Sequence, residues 1–300
     1  MSAKIIDGKE VARSIHEEVR KEAEKLRSRG IIPGLATVLV GDDPASRSYV
    51  KAKRKACEED GIQSFHHPLP AETSQKELLT LITQLGEDPK VHGILVQLPL
   101  PAHIEENAVI RAIPPHKDVD GFHPENLGRL GLKGEEALFA PCTPAGVLEL
   151  LMRAEVPVSG ARAVVLGRSK IVGLPAALLL LRNDATVTIC HSRTKDLPAV
   201  TKEADILIAA IGRANFVTAE MVKPGAAVID VGVNRVEDSS KKRGYRLVGD
   251  CDFEAVAEVA GCLTPVPGGV GPMTIAMLMK NTLRAAERAS PQSFDPRNHL

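Results

Sequence analysis

The sequence carries no excess of charge of either sign. Lysine and arginine together number 38, and aspartate and glutamate together also number 38. A chain balanced in this way lacks the basic surface of a nucleic-acid-binding protein and has no acidic tail. We therefore expect no nucleic-acid partner.

The sequence also lacks paired cysteines and long apolar runs. Its five cysteines are scattered, without a C-x-x-C motif or a histidine at ligand spacing, which is typical of reduced structural thiols and predicts no metal site. The richest apolar run, residues 174–181, contains Pro175 and is far shorter than the roughly 20 residues of a membrane span. The first residues lack the apolar segment of a signal peptide. We expect a cytoplasmic protein with no membrane segment.

The length and the apolar content indicate two globular domains. The chain has 300 residues, of which 44% are hydrophobic. Strand-like and helix-like segments alternate along it, which predicts an α/β fold of two domains, each a parallel sheet flanked by helices. We place the first domain at residues 1–145 and a Rossmann-type dinucleotide domain at 146–273. A helix at 274–288 is expected to return to the first domain, and residues 289–300 to form a flexible tail.

Hydrophobic periodicity and turn residues locate the elements. The predicted strands are residues 35–41, 62–66, 91–98, 162–166, 186–190, 206–210 and 227–231. The predicted helices are residues 9–29, one that follows the turn at 42–46 and ends before 61, one capped at Ser74 and reaching 85, 105–112, 143–153, one after Gly173, one before Glu203 and 274–287. A loop is expected between residues 114 and 142.

A glycine-containing turn follows the apolar strand at residues 162–166. The turn runs from Gly167 through Arg168, Ser169 and Lys170 to Gly173, and opens a helix. Backbone N–H groups at a helix N-terminus favour phosphate, so this is a candidate nucleotide site. The motif departs from G-x-G-x-x-G, and a solvated loop is the alternative interpretation.

The end of the next strand indicates which dinucleotide would bind. At about 20 residues past the glycine turn, an acidic residue favours NAD. This chain instead has His191, Ser192, Arg193 and Thr194, with Arg168 available from the first turn. An arginine with hydroxyl groups suits a 2′-phosphate, so we predict NADP.

Polar residues in the first domain form a candidate small-molecule site. Tyr49 and Lys53 lie four apart on one helix face, and Lys53 could transfer protons there. Gln97 closes an apolar strand, and Asp118 and Asp120 follow in a loop on the same side. The alternatives are a surface lysine with a packed tyrosine, a strand-end cap and turn chemistry.

The segment at residues 267–272 is unusually rich in glycine. Several glycines together indicate close approach of the backbone to a ligand, and a tight turn at the entry of a helix is the alternative. His66, His67, His116 and His123 lack ligand spacing and are interpreted as surface or core residues.

Five segments in order along the chain resemble the bifunctional methylenetetrahydrofolate dehydrogenase/methenyltetrahydrofolate cyclohydrolase family. They are residues 48–53, 96–101, 117–122, 167–175 and 264–273, within a resemblance that runs from about residue 5 to 286. The resemblance implies NADP-dependent oxidation of 5,10-methylenetetrahydrofolate, followed by hydrolysis of the methenyl product to 10-formyltetrahydrofolate. It also implies an active-site cleft between the two domains and a homodimer.

The resemblance further assigns roles to single residues. Lys53 matches the catalytic group, Gln97 the residue that orients it, and Tyr49 the ring that stacks on the folate. The expected substrate-binding residues are Tyr49, Val50, Lys53, Val96, Gln97, Leu98, Asp120, Pro267, Gly268, Gly269, Val270 and Gly271. The expected cofactor-binding residues are Gly167, Arg168, Ser169, Ser192, Arg193 and Val233.

Two other functions are compatible with parts of the pattern. A two-domain NADP dehydrogenase of shikimate or amino-acid type also uses a lysine and an aspartate. A non-catalytic module that senses NADP or folate would keep Arg168 and Ser192 but would not need Lys53 beside Tyr49.

Overall fold

A computed structural model describes residues 3–132, 134–135, 137–241 and 244–289. The strands are β1 (Lys4–Ile5), β2 (Gly34–Val40), β3 (Gln63–Leu69), β4 (Gly93–Val96), β5 (Arg162–Leu166), β6 (Thr186–Cys190), β7 (Ile206–Ala209), β8 (Ala227–Asp230), β9 (Asn234–Glu237), β10 (Tyr245–Val248) and β11 (Cys262–Leu263). The helices are α1 (Gly8–Ser28), α2 (Pro44–Asp60), α3 (Gln75–Glu87), α4 (Glu106–Ala112), α5 (Pro124–Leu130), α6 (Cys142–Arg153), α7 (Gly173–Arg182), α8 (Leu197–Thr201), α9 (Phe253–Ala257) and α10 (Val270–Arg288).

The chain divides into two compact units. Unit 1 comprises Met1–Arg13, Leu130–Glu135 and Thr143–Thr274, and unit 2 comprises Ser14–Arg129, Glu136–Cys142 and Ile275–Leu300. The expected boundary gave residues 1–145 to one domain, whereas the N-terminal strand falls in unit 1 because β1 pairs with β11. Beyond residue 289, the tail predicted at 289–300 lies outside the described residues.

Unit 1 contains a six-stranded sheet in the order β1-β11-β8-β7-β5-β6. Every pairing in it is parallel, and β5, β7 and β8 are almost entirely buried, as expected for strands covered on both faces. The order reverses at β5, where the chain first moves outward to β6 and then returns to β7 on the other side. Ligands bind at the carboxyl ends of the strands at such a point.

Unit 2 contains a three-stranded parallel sheet in the order β3-β2-β4. All seven residues of the central strand β2 are buried. Helix α3 begins with the predicted capping box, in which the Ser74 hydroxyl and the Glu77 carboxylate each bond to the other residue's backbone. Its apolar face packs Leu78 and Ile82 on the sheet. The predicted α/β class, with parallel sheets flanked by helices, is confirmed.

Some short elements were not predicted. Helix α5 lies within the expected loop, and the antiparallel hairpin β9–β10 was missed. Helix α10 begins at Val270 instead of residue 274, because Pro272 lies in its first turn, where a backbone N–H has no partner inside the helix. The residues Val270 and Gly271 are therefore helical.

Candidate active site

Lys53 is a buried lysine on the inner face of α2. The helix is started by the Asp43 carboxylate, which accepts a hydrogen bond from the Ser46 N–H at 2.7 Å. Lys53 is only 7% exposed, and its Nζ donates to Oε1 of Gln97 at 3.0 Å. Lysine is rarely buried without a pairing group, so this placement needs a reason beyond packing.

Gln97 lies at the carboxyl end of the unit 2 sheet and is fixed at both ends. Its backbone N–H donates to the Val38 carbonyl at 2.9 Å, which extends the β2–β4 ladder by one residue. Its Nε2 donates to the Leu98 carbonyl at 2.7 Å. Because the amide N–H group is committed there, the amide oxygen faces Lys53. The predicted pairing of Lys53 with Gln97 is thus present in the geometry.

Asp120 brings a carboxyl group into the same cluster. Burial raises its pKa, and the positive charge of Lys53 opposes that rise. The thiol of Cys142 lies beside it, and burial together with the charge of Asp120 raises the pKa of Cys142 well above its usual value. Cys142 is therefore a neutral thiol, not a nucleophile. Its position at the start of α6 gave no sequence signal of this contact.

Asp118 is the buried anchor of the loop that carries Asp120. Its carboxylate accepts hydrogen bonds from the N–H groups of Phe122 (3.2 Å) and His123 (2.8 Å) and from Nδ2 of Asn126 (3.0 Å). Burial raises the pKa of Asp118 to about 6, against the lowering effect of these donors. Asn126, on the unpredicted helix α5, also donates to the Pro115 carbonyl at 3.0 Å and so closes the loop.

Gly121 must remain glycine for this loop to form. Its φ is 77°, and a Cβ there would lie 2.5 Å from both the Ala140 carbonyl carbon and the Pro141 nitrogen. We expect Gly121→Ala to lower the free energy of unfolding of unit 2 by about 2–5 kcal/mol and to weaken both activities proposed below. Urea unfolding and turnover assays measure the two effects.

The matched control for that substitution is Gly128→Ala. Gly128 lies in α5, and no atom is within 4 Å of the position that an alanine methyl group would take there. Alanine at this position should stabilise the helix by up to about 1 kcal/mol. If Gly121→Ala unfolds at the same urea concentration as the wild type, the close packing described for this loop is wrong.

The other predicted residues of unit 2 are sequence neighbours of Lys53 and Gln97. Tyr49 lies one helical turn before Lys53 and is 55% exposed. Val50 is buried beneath α2, Val96 is buried at the end of β4, and Leu98 is half-buried after it. The ring of Tyr49 is thus available to a ligand, while the two valines contribute to the core.

In unit 1, four of the six predicted cofactor residues line a cavity of about 360 Å³ at the ends of β5, β6 and β7. Gly167, Arg168 and Ser169 contribute from the turn after β5, and His191 and Ser192 from the turn after β6. The cavity lies at the switch point of the sheet, where a dinucleotide is expected. Arg193 and Val233 were also predicted to contact the cofactor, but neither lines this cavity.

Gly167 makes the turn after β5 possible. Its φ is 114°, and a Cβ there would lie 2.2 Å from the Ala210 carbonyl oxygen. The Ser169 hydroxyl accepts from the N–H groups of Val172 (3.2 Å) and Gly173 (3.3 Å) at the start of α7. A tight glycine cradle with arginine and hydroxyl donors around it fits a phosphorylated dinucleotide.

The glycine-rich segment has a structural explanation within unit 1. A Cβ at Gly8, where α1 begins, would lie 1.8 Å from the Gly269 carbonyl oxygen. A Cβ at Gly269 would itself lie 2.6 Å from the Pro265 carbonyl oxygen. Pro267, after a cis peptide bond, and Gly268 complete this turn. The close approach predicted for the segment is therefore made, at Gly269, by the protein's own backbone.

The described part of the chain has neither a metal-binding cluster nor a membrane-spanning helix. It contains no group of three or more histidine, cysteine, aspartate or glutamate residues that could hold a metal ion. It also contains no helix that is long and apolar enough to cross a membrane.

The switch-point cavity in unit 1 and the lysine–glutamine–aspartate cluster in unit 2 define a two-unit α/β protein with a dinucleotide-type site and a polar site. Two family models match the chain: the tetrahydrofolate dehydrogenase/cyclohydrolase catalytic domain over residues 6–120, and the NAD(P)-binding domain of the same family over 141–290. The chain belongs to the tetrahydrofolate dehydrogenase/cyclohydrolase family.

Individual relatives are similar over nearly the whole chain. The bifunctional protein FolD of Prosthecochloris aestuarii is 57% identical over 290 residues, covering 95% of this chain and 98% of the relative. The structure of the bifunctional FolD dehydrogenase/cyclohydrolase from Campylobacter jejuni superposes with a TM-score of 0.90 at 49% identity, covering 96% and 99%. The Trypanosoma brucei enzyme, solved with NADP and an inhibitor, gives a TM-score of 0.91 at 44% identity, covering 96% and 98%.

Proposed function

We propose that this protein oxidises 5,10-methylenetetrahydrofolate to 5,10-methenyltetrahydrofolate with NADP, and then hydrolyses the product to 10-formyltetrahydrofolate. The observation that carries the proposal is the buried Lys53 amine, held 3.0 Å from Gln97 and facing the charge of Asp120. The resemblance of residues 48–53, 96–101 and 117–122 to the family implies catalytic and binding roles for them. The relatives named above include bifunctional enzymes of this kind.

Lys53 handles the protons of the hydrolytic step in this proposal. Water attacks the cationic methenyl carbon, and the bond from that carbon to ring nitrogen N5 breaks. Two protons leave the attacking water: one is transferred to N5 and the other is released. Lys53 relays a proton from the attacking water to N5, and Gln97 holds its amine in place.

Asp120 and Tyr49 bind and orient the folate. The half-buried carboxyl group of Asp120 accepts hydrogen bonds from the N–H groups of the pterin ring, since a carboxylate is the strongest neutral-pH acceptor in the cluster. The exposed ring of Tyr49 offers a flat apolar face for an aromatic part of the substrate. Cys142 keeps its proton and takes no part in the chemistry.

The cavity of unit 1 would hold NADP, which supplies the hydride acceptor for the first step. Arg168 and Ser192 provide a cation and a hydroxyl for the 2′-phosphate, and residues 191–194 directly after β6 include no acidic residue to bind a free ribose hydroxyl. The glycine cradle at Gly167 lets the backbone approach the pyrophosphate. The relative from Trypanosoma brucei was solved with NADP.

The test is turnover of 5,10-methylenetetrahydrofolate with each nicotinamide cofactor. We expect reduction of NADP with a kcat/KM at least about tenfold above that for NAD, because the 2′-phosphate adds charge-assisted contacts. Equal or better use of NAD would contradict the cofactor assignment. No turnover with either would contradict the enzymatic function and favour a sensing role.

The shikimate-type alternative is not retained. Its substrates are small acids whose carbonyl or imine is reduced, whereas the family models and the FolD relative at 57% identity cover both halves of this chain. A sensor would bind the ligands without converting them, so the turnover experiment separates it from the enzyme.

We also propose a homodimer. Strand β6 is the edge of the unit 1 sheet, and Ile189 on it and Leu181 on α7 are exposed. An exposed edge strand with apolar neighbours is a surface that proteins normally cover. Light scattering should give twice the chain mass of 32.1 kDa, and a value equal to one chain would contradict the proposal.

The proposed location is the cytoplasm. All five cysteines are free thiols, which suits a reducing compartment. Fractionation of cells that express the protein should place it with the cytoplasmic enzymes, and recovery from a membrane or organelle fraction would contradict this.

A further inference from the structure

The loop after β7 forms a wall of the nucleotide cavity that the sequence did not reveal. Arg213 and Phe216 on this loop both line the cavity, facing the same space as Ser192. The guanidinium carbon of Arg213 lies 4.5 Å from the centroid of the Phe216 ring. The planar cation is therefore stacked on one aromatic face, and its own second face is left for a ligand.

The loop is held in this shape by a buried carboxylate. Asp250 is 0% exposed and accepts hydrogen bonds from the backbone N–H groups of Ile211 (2.7 Å), Gly212 (2.9 Å) and Arg213 (2.8 Å). A fourth bond comes from Nδ2 of Asn234 at 2.9 Å. Four donors on one carboxylate fix the backbone of Arg213 before any ligand arrives.

The cavity lining has one part with polar groups suited to phosphate and another with flat apolar and cationic groups. The turns after β5 and β6 carry the groups suited to phosphate, including Arg168 and Ser192. Leu197, Ile211 and Phe216 supply apolar surface, and Arg213 supplies a flat cation. A purine ring needs flat apolar or cationic faces, and phosphate needs point donors.

We propose that Arg213 stacks on the adenine ring of the cofactor, backed by Phe216, and that Asp250 is a positioning residue that acts through Arg213. The inference rests on the proposed function in one respect, namely that the cavity takes an adenine dinucleotide. It adds a contact to the base, separate from the contact of Arg168 with the 2′-phosphate.

Calorimetric titration with adenosine 2′,5′-bisphosphate, and then with NADP and NAD, tests the contact directly. We expect Arg213→Ala to raise the Kd for all three by about 3- to 30-fold, because each contains adenine. Arg213→Lys should lose most of the same affinity, since it keeps the charge but not the flat face. Circular dichroism melting checks that each variant is folded.

The matched control is Arg235→Ala. Arg235 also stacks on an aromatic ring of unit 1, with its guanidinium carbon 5.0 Å from the Tyr245 centroid, but it does not line the cavity. Its removal should leave the Kd unchanged. An Arg213→Ala variant that binds the bisphosphate within twofold of the wild type would overturn the inference. A loss confined to the 2′-phosphorylated ligands would also overturn it, because the partner would then be phosphate.

A double-mutant cycle tests the role given to Asp250. Asp250→Asn should weaken binding of the bisphosphate, because the loop that carries Arg213 is no longer held. The Asp250→Asn/Arg213→Ala variant should have a Kd no higher than that of the single variant that binds more weakly. Additive losses would show that Asp250 does not act through Arg213. If the wild type fails to bind the bisphosphate, the cofactor assignment is contradicted as well. If the wild type binds it tightly and Arg213→Ala leaves the Kd unchanged, only this inference is contradicted.

Discussion

In a Lys53→Met variant, we expect hydrolysis of supplied 5,10-methenyltetrahydrofolate to fall by about a hundredfold or more, with part of the NADP-dependent oxidation retained. Methionine keeps the length and the apolar stem of lysine but cannot move a proton, and positioned proton transfer contributes about 10²–10⁴-fold. Hydride leaves the methylene carbon without a proton being moved, so the first reaction depends less on the amine. Decay of methenyl absorbance and formation of NADPH measure the two steps.

The control for that variant is Lys51→Met, on an exposed face of the same helix. It should change neither step by more than about twofold, since isolated surface substitutions have small effects. If Lys53→Met loses both activities equally while still binding folate, the division of labour between the two steps is wrong.

The second large effect is expected for Gly167→Ala in the cofactor site. The residue combines a φ of 114° with a methyl position 2.2 Å from the Ala210 carbonyl oxygen, so alanine must displace the turn. We expect the free energy of unfolding to fall by about 3 kcal/mol or more and the KM for NADP to rise at least about tenfold. Thermal unfolding and steady-state kinetics measure these effects.

Gly160→Ala separates backbone strain from steric overlap. Gly160 also has a positive φ, 79°, but no atom lies within 4 Å of its methyl position. Gly160→Ala should lower the free energy of unfolding by about 1–2 kcal/mol and leave the KM for NADP unchanged. A Gly167→Ala enzyme with wild-type KM for NADP would contradict the placement of the cofactor at this turn.

The regular elements were largely predictable because their signals are local. Strand β6 was predicted with its observed bounds, and the reciprocal cap of α3 was visible as Ser74 and Glu77. The placement of Gln97 at a sheet edge followed from the end of an apolar strand. Its 3.0 Å contact with Lys53, 44 residues away in sequence, needed the parallel sheet to bring the two together.

The supporting groups were not predictable, because their roles depend on loops. Asp250 is a buried carboxylate whose backbone donors lie 37 to 39 residues earlier in the chain, and such long-range bonds have no residue signature. Asp118 differs, because the sequence singles it out and its bonds to nearby N–H groups are turn chemistry. Arg213 had no motif around it, and its stacking on Phe216 exists only once Asp250 has shaped the loop. The two-residue strand β1 was too short for any periodicity to show.

The most direct test of the account follows methenyl-folate absorbance and NADPH together, starting from 5,10-methylenetetrahydrofolate and NADP. The account predicts NADPH formation with little methenyl-folate at any time, because the enzyme that makes it also hydrolyses it. Stoichiometric accumulation of methenyl-folate alongside NADPH would contradict the account, because the Lys53 cluster would then lack its hydrolytic role.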